Sequence, residues 1–205
     1  MMEFFLDAYK DASVARIVLE FIVFVCGIAS VIFARKENIL VYPTGLIATV
    51  ITTYLLWIAG YLGDMIINLY FSVMSVYGWW NWARKRKNQS TLPITRTNFK
   101  EKIIGIALFF ITIIVVFAIY KFFNYEIKKE NYVDIVASGI FFTGMWYMAH
   151  KKIENWTLWI IGDFIVTPIY AYRGLGMLSL QYLIFTALAV LAYLEWRRIV
   201  QQKSI

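Results

Sequence analysis

Long uninterrupted runs of uncharged residues constrain this chain more than any other feature of its sequence. Four windows contain no Asp, Glu, Lys or Arg: residues 39–63, 65–83, 103–120 and 174–194. A helix needs roughly 17–25 apolar residues to cross the ~30 Å hydrocarbon layer of a bilayer. A soluble domain has no use for apolar runs of this length. The windows therefore predict an all-α integral membrane protein that is embedded in the lipid bilayer.

Three further segments extend the pattern to seven predicted transmembrane helices. Residues 17–34 are interrupted only by Glu20, and residues 135–149 form a shorter run that can borrow residues from its flanks. Residues 155–172, the sixth span in chain order, carry Asp163 in their interior. Helices of this length use most of the chain, so we expect a single membrane domain and no separate soluble domain.

The excess of basic residues, a net charge of +7, indicates membrane orientation rather than nucleic-acid binding. Most of the Lys and Arg residues fall on one predicted side of the membrane, in the odd-numbered connections and the C-terminal segment. These residues are Arg35, Lys36, Arg84, Lys85, Arg86, Lys87, Arg96, Lys100, Lys102, Lys151, Lys152, Arg197, Arg198 and Lys203. Cytoplasmic loops of membrane proteins carry such an excess. We therefore expect the N-terminus outside the cell, the C-terminus in the cytoplasm and no nucleic-acid partner.

The third and the seventh span match each other without a gap. Residues 69–86 read LYFSVMSVYGWWNWARKR and residues 183–200 read LIFTALAVLAYLEWRRIV. Five pairs are identical at a spacing of 114 residues: Leu69 and Leu183, Phe71 and Phe185, Val76 and Val190, Trp82 and Trp196, Arg84 and Arg198. A weaker match at a spacing of 117 residues sets Asn38, Tyr42 and Gly45 beside Asn155, Trp159 and Gly162. The matches indicate a three-helix unit that is used twice, with chance similarity between apolar segments as the alternative.

Counting the membrane crossings fixes the relative direction of the two units. If the first span runs inward, the fifth span also runs inward, so the units are parallel. Within a single domain of residues 1–205, we predict a first repeat at 14–87, a connector helix at 101–122 and a second repeat at 132–200. Secondary transporters with parallel repeats bind their substrate near the bilayer midplane, between the two halves.

Asp163 is the sharpest candidate for a functional residue, because an ionised carboxylate at mid-membrane depth costs several kcal/mol. Asn155, Trp159 and Asp163 stand at positions i, i+4 and i+8 of one span, which places them on one helical face. The pattern favours a counter-charge for a cationic substrate or a proton site. A structural carboxylate bonded to a neighbouring helix is the alternative.

Other polar and aromatic residues form comparable stripes on the third and seventh spans. Ser75 and Trp79 lie on the third span, and Thr186 and Tyr193 lie on the seventh. Aromatic rings offer flat surfaces to planar ligands and a negative face to cations. Tryptophans near a membrane interface also occur simply as belt residues, which is the alternative for Trp82, Trp156 and Trp196.

Two prolines lie within the predicted spans. Pro43 on the second span and Pro168 on the sixth occupy similar places, and each is a candidate hinge. The sequence contains no phosphate-cradling glycine loop with a lysine, no His/Glu metal spacing and no Ser/His/Asp set. We therefore expect no cofactor, no metal and no enzymatic activity, although a non-transport membrane enzyme or assembly subunit is an alternative of another class.

Three stretches resemble the PnuC family of vitamin transporters. They read SVYGWWNW (residues 75–82), ENWTLWIIGD (residues 154–163) and PIYAYRGL (residues 168–175). The resemblance covers nearly the whole chain and implies that family's arrangement, in which three helices, one connector and three helices form an enlarged relative of the SWEET fold. It carries over Asn155, Trp159 and Asp163 as substrate-binding residues, followed by Trp79 and Trp80.

The resemblance also implies a function: facilitated diffusion of nicotinamide riboside across the bacterial inner membrane. A cytoplasmic kinase that phosphorylates the imported substrate would make uptake effectively one-way, and the family's assembly suggests a homotrimer. Nicotinamide riboside has a planar cationic ring and a ribose, which suit aromatic rings, a carboxylate and polar side chains. Thiamine is also a planar cation, so thiamine or another vitamin or nucleoside is an alternative substrate, and proton-coupled uptake through Asp163 is an alternative mechanism.

Overall fold

The computed structural model describes residues 12–59, 62–84, 92–124, 127, 129–173 and 175–202. These residues form seven α-helices. In chain order the helices are α1 (Val14–Arg35), α2 (Val41–Ala59), α3 (Leu62–Ala83), α4 (Phe99–Phe122), α5 (Lys129–Ala149), α6 (Glu154–Tyr172) and α7 (Gly176–Gln202). A helix satisfies its backbone hydrogen bonds internally, which is what a segment in hydrocarbon requires. The all-helical membrane architecture expected from the sequence is confirmed.

Four of the helices are long and apolar enough, by length and composition alone, to cross a membrane. They are α1, α4, α7 and the stretch Val41–Ile58 of α2. The other three helices carry more polar residues. In α6, for example, Asn155 and Asp163 interrupt the apolar sequence, and both side chains are buried inside the bundle. The polar residues that weaken the span pattern of α6 therefore face protein rather than lipid.

Six helices close into a ring, and α4 lies outside it. Helix α1 packs on α2, α2 on α3, α3 on α5, α5 on α6, α6 on α7, and α7 returns to α1. Helix α4 packs mainly on α5 and only lightly on α3. A ring of this order places the inner faces of α1–α3 and of α5–α7 around a common axis.

One end of the ring collects the connections expected to be basic, and we call it the basic end. The ends of α1, α3, α5 and α7 meet there with the starts of α2, α4 and α6. Ion pairs join these segments: Arg35 to Glu195 at 2.5 Å, Lys151 to Glu37 at 3.0 Å and Lys152 to Glu101 at 2.7 Å. Of the basic residues expected on this side, Lys85, Arg86, Lys87 and Lys203 lie outside the described residues.

The segment that leads into α4 is fixed to the basic end by backbone hydrogen bonds. The Thr95 N–H donates to the Lys151 carbonyl at 3.1 Å, and the Ile153 N–H donates to the Thr95 carbonyl at 3.0 Å. Asn98 and Glu101 then form a reciprocal capping box at the start of α4. This connection therefore ties α4 to the corner between α5 and α6.

The two candidate hinge prolines occupy different structural positions. Pro43 lies in the first turn of α2, where a backbone N–H has no intrahelical partner to lose. Proline at this place does not kink a helix, so the structure gives no support to a hinge at Pro43. Pro168 lies in the interior of α6, where it removes one intrahelical hydrogen bond. Only Pro168 keeps the geometry that a hinge would use.

Close packing at Gly78 gives a first testable prediction. A Cβ atom at this position would overlap the buried ring of Tyr42. We expect Gly78→Ala to lower the midpoint of thermal unfolding of the detergent-solubilised protein by several degrees, since overpacking costs about 1–3 kcal/mol. The matched control is Gly144→Ala, whose Cβ would meet Leu158 and Trp159 at 3.4 to 3.7 Å, which is ordinary contact. Equal midpoints for the two variants would contradict this account of the packing.

Candidate functional site

The inner face of α6 carries three polar side chains in a row. Asn155 and Asp163 are 0% and 1% exposed, and Trp159 lies between them. Successive members are four residues apart, which is about 6 Å along a helix. Asp163 is nine residues from the start of a 19-residue helix, so its carboxylate lies near the middle of the span. The structure therefore brings these three predicted residues together on one buried surface.

Each of these three side chains has a buried polar atom without a hydrogen-bond partner among the described residues. The atoms are Asn155 Oδ1, Trp159 Nε1 and Asp163 Oδ1. The Asn155 amide nitrogen does have a partner, the Lys152 carbonyl at 2.5 Å. An unsatisfied buried polar atom costs about 1–3 kcal/mol, and more when it is charged. Three such atoms along one helical face indicate a surface that is completed by something other than the chain itself.

Aromatic side chains from neighbouring helices surround Trp159. Its indole stacks on Phe141 of α5, with ring centroids 5.3 Å apart, and lies 6.3 Å from Phe71 of α3. Phe141 in turn lies 6.3 Å from Tyr182 of α7. Rings from four helices of the closed ring thus meet at the depth of Trp159. A flat aromatic ligand could stack within such a cluster, and a cation would find favourable ring faces.

Three more predicted residues lie inside the bundle without joining this row. Ser75 is buried, and its hydroxyl donates to the Phe71 carbonyl at 2.8 Å. The Thr186 hydroxyl donates to the Tyr182 carbonyl at 2.9 Å. Tyr193 is partly buried and packs against the hydrophobic core cluster that includes Trp156 and Trp196. A hydroxyl that donates to a backbone carbonyl can still accept a hydrogen bond from a ligand. Ser75 and Thr186 therefore remain candidate binding residues.

Trp79 and Trp80 are placed differently from the prediction. Their side chains are 41% and 56% exposed on the outer surface of α3. The Arg84 guanidinium lies over the Trp80 ring, 5.3 Å from its centroid. An exposed tryptophan near a basic helix end is typical of the headgroup layer, where its amphipathic ring is stable. The structure does not bring Trp79 and Trp80 to the α6 face, and we leave both out of the candidate site.

Several residues around the site were not found by sequence analysis. Phe141 and Tyr182 are ordinary aromatic residues within apolar spans, and nothing in their spacing distinguishes them from lipid-facing ones. Phe71 belongs to the matched segments of the third and seventh spans, but that match does not assign it a function.

Among the described residues there is no group of three or more His, Cys, Asp and Glu side chains that could hold a metal ion.

Comparison with known proteins gives consistent results. Residues 17–198 match the family model described as nicotinamide mononucleotide transporter. The chain is 23% identical over 195 residues to the nicotinamide riboside transporter PnuC of Escherichia coli (strain K12). That alignment covers 84% of this chain and 82% of the E. coli protein. A relative of the same name from Shigella flexneri matches to the same extent. The fold is similar to that in the solved structure titled "Crystal structure of the Vitamin B3 transporter PnuC", with a TM-score of 0.72, 19% identity, and coverage of 96% of this chain and 86% of that one.

The unpartnered carboxylate of Asp163 gives a second prediction, on stability without ligand. Replacing Asp163 by Asn removes an ionisable carboxyl group from a buried position and keeps the side-chain volume. We expect the ligand-free variant to unfold at a higher temperature than the parent, as is common when a binding residue is removed. The control is Asp134→Asn, which breaks the 2.6 Å ion pair with Arg173 at the other end of the ring and should not raise the midpoint. A lower midpoint for Asp163→Asn would mean that the carboxylate stabilises the fold.

Proposed function

The chain belongs to the nicotinamide mononucleotide transporter family, and we propose that it carries nicotinamide riboside across the bacterial inner membrane. The observation that carries this proposal is the row of unpartnered buried atoms on α6, at Asn155, Trp159 and Asp163. Intramembrane ionisable residues that face a bundle interior commonly mark a substrate or ion pathway. The printed names of the curated relatives point to the same substrate.

The chemistry of nicotinamide riboside matches the three side chains. Its pyridinium ring is planar and cationic, so Asp163 supplies a counter-charge and Trp159 supplies a stacking surface. The unpartnered Asn155 Oδ1 can accept a hydrogen bond from a ribose hydroxyl or from the carboxamide. Binding would thus give partners to three buried atoms that have none among the described residues.

The same charges favour the nucleoside over the nucleotide. Nicotinamide mononucleotide carries a phosphate, which would bring negative charge into a site whose ionisable group on the α6 face is a carboxylate. Like charges in a low-dielectric interior repel strongly. A phosphate site would be expected to contain Arg or Lys. On the described inner face of α6 the three aligned polar residues are Asn155, Trp159 and Asp163, none of them basic.

Helix boundaries support the arrangement of two three-helix repeats with α4 as the connector. The helices of the first unit (α1–α3) and of the second unit (α5–α7) begin 115, 113 and 114 residues apart: Val14 and Lys129, Val41 and Glu154, Leu62 and Gly176. Packing is reciprocal as well, because the first helix of each unit contacts the third helix of the other. A two-fold axis along the membrane normal would produce this pattern, as in parallel-repeat transporters.

Aromatic pairs at the basic end support one constant spacing through the repeat. Tyr42 meets Trp82 edge to face at 5.1 Å and 88°, and Trp156 meets Trp196 at 5.4 Å and 87°. Both members of the second pair follow the first by 114 residues. Tyr42 thus corresponds to Trp156, rather than to Trp159 as expected at a spacing of 117 residues.

At a spacing of 114 residues, the two units carry side chains of different size at equivalent inner positions. Gly27 corresponds to Phe141, Gly45 to Trp159 and Thr49 to Asp163. At these three positions the second unit supplies two rings and the carboxylate, and the first unit supplies two glycines and a threonine, while Phe71 of the first unit also lies beside Trp159. We infer that the second unit recognises the ligand and that the first unit leaves space for it.

The transport step that we propose is passive rocking of the two units about the midplane site. Substrate would then equilibrate across the membrane, and phosphorylation by a cytoplasmic kinase would make uptake effectively one-way. We further propose that the N-terminus lies outside, that the basic end faces the cytoplasm and that the protein forms a homotrimer. The excess of Lys and Arg at the basic end supports this orientation.

Ligand binding tests the substrate and the site together. We expect nicotinamide riboside to bind the purified protein with a micromolar Kd, measured by calorimetry. Trp159→Ala and Asp163→Asn should each weaken binding at least about tenfold, or 1.4 kcal/mol. Nicotinamide mononucleotide should bind more weakly than the riboside, because its phosphate meets the Asp163 carboxylate.

The control variant for this measurement is Trp57→Ala, which removes a tryptophan that is 64% exposed on α2. Its affinity should equal that of the parent. Binding of thiamine alone would keep the fold and the site but replace the substrate, and binding of neither vitamin would favour a non-transport role.

An imposed pH gradient separates passive transport from proton coupling. In proteoliposomes without a kinase, we expect internal nicotinamide riboside to reach the external concentration and no higher, whichever side is acidic. Passive exchange needs no ion site, whereas proton coupling through Asp163 requires the gradient to drive accumulation. Accumulation above the external level in the parent, lost in Asp163→Asn while exchange persists, would establish the proton-coupled alternative.

A further inference from the structure

Two residues at equivalent positions of the repeats form an ion pair at the basic end. Glu37 follows α1 and Lys151 follows α5, 114 residues apart, and both have a left-handed backbone, with φ of 54° and 50°. Lys151 Nζ lies 3.0 Å from Glu37 Oε2. Residues related by a two-fold axis touch only if both lie close to that axis. The ion pair therefore marks the axis of the ring at this end.

Two tryptophans at equivalent positions of the repeats also lie close to each other, next to this ion pair. Trp82 and Trp196 are also 114 residues apart, and their ring centroids are 6.5 Å apart. The Trp82 indole donates to the Met148 carbonyl at 3.2 Å, and the Trp196 indole donates to the Arg35 carbonyl at 3.0 Å. Met148 lies at the end of α5 and Arg35 at the end of α1. The third helix of each unit is thus bonded to the first helix of the other.

Lys151 connects the ion pair to the tryptophans. Its ammonium lies 4.4 Å from the centre of the Trp82 ring, and its side chain is almost fully buried. Tyr42 and Trp156 pack edge-on against Trp82 and Trp196, respectively. This layer of charge and aromatic rings lies at the basic end, beside the axis that the ion pair marks, and Trp159 and Asp163 lie farther along α6 from that end.

We propose that Glu37, Lys151, Trp82 and Trp196 form the gate that closes the substrate pathway at the basic end. Opening this end requires α3 to separate from α5 and α7 to separate from α1, which breaks both indole hydrogen bonds and the ion pair together. The inference rests on the proposed function, because a gate has meaning only if the ring conducts a solute. It assigns a gating role to four residues outside the α6 row.

Charge reversal tests the gate, because the two positions are equivalent. Glu37→Lys alone sets two ammonium groups side by side, and Lys151→Glu alone sets two carboxylates side by side. The double variant restores an ion pair, and the two-fold relation places the introduced lysine over Trp196 as Lys151 now lies over Trp82. The readout is the rate at which a bulky impermeant maleimide labels a cysteine just inside the gate.

The reporter is Ala192→Cys in a Cys26→Ala background, which removes the chain's one native cysteine. Ala192 is fully buried and lies one helical turn inside Trp196. We expect each single reversal to raise the labelling rate at least about tenfold and the double variant to return it to within about threefold of the parent. Trp82→Phe and Trp196→Phe, which remove the indole donors, should each raise the rate as well.

Gln201→Cys, at an exposed position of α7, is the matched control and should be labelled equally in all variants. Unchanged labelling in the single reversals would overturn the gate, as would a double variant that regains its thermal stability but not its slow labelling.

The labelling rate does not depend on any ligand. If the gate variants respond as expected and nicotinamide riboside does not bind, the proposed substrate is wrong and the gate stands. If the riboside binds and labelling does not respond, the gate is wrong and the substrate stands.

Discussion

A polar atom in a dry interior must find a partner or destabilise the protein, and this constraint governs the whole structure. The backbone meets it by forming helices throughout the described spans. The hydroxyls of Ser75 and Thr186 meet it by donating to carbonyls of their own helices. In the part of the chain that the structure describes, the row on α6 does not meet it, since Asn155, Trp159 and Asp163 each keep a buried atom without a partner. The proposed ligand would supply those partners.

The proposed two-unit arrangement would combine similar helix boundaries with unlike side chains. At the basic end, residues at equivalent positions contact each other: Glu37 pairs with Lys151, and Trp82 packs near Trp196. At the centre of the ring, equivalent positions differ in side-chain size: Gly27 and Gly45 correspond to Phe141 and Trp159. A rocking motion needs two similar halves, whereas recognition of an asymmetric molecule needs two different surfaces. The proposed repeat, with different inner side chains in its two units, would provide both.

The sequence predicted much of this site because charge and spacing are local properties. Asp163 was identifiable from the cost of a carboxylate in a span, and helical geometry then aligned it with Trp159 and Asn155. Trp79 and Trp80 were misplaced because an apolar span gives no signal for which face meets lipid. The expected spacing of 117 residues paired Tyr42 with Trp159, because a single aromatic residue aligns equally well at neighbouring registers. The edge-to-face contacts with Trp82 and Trp196 instead favour pairing Tyr42 with Trp156, at 114 residues.

By itself, the sequence determined that the chain is a helical membrane protein with an acidic residue in the middle of one helix. These properties follow from hydrophobic run length and from residue identity, which need no knowledge of neighbours. The tertiary structure alone decided the order of helices in the ring, the rings that surround Trp159 and the contact between Glu37 and Lys151. Those depend on which faces of separate helices meet, and in membranes that choice is made by close packing between side chains distant in sequence.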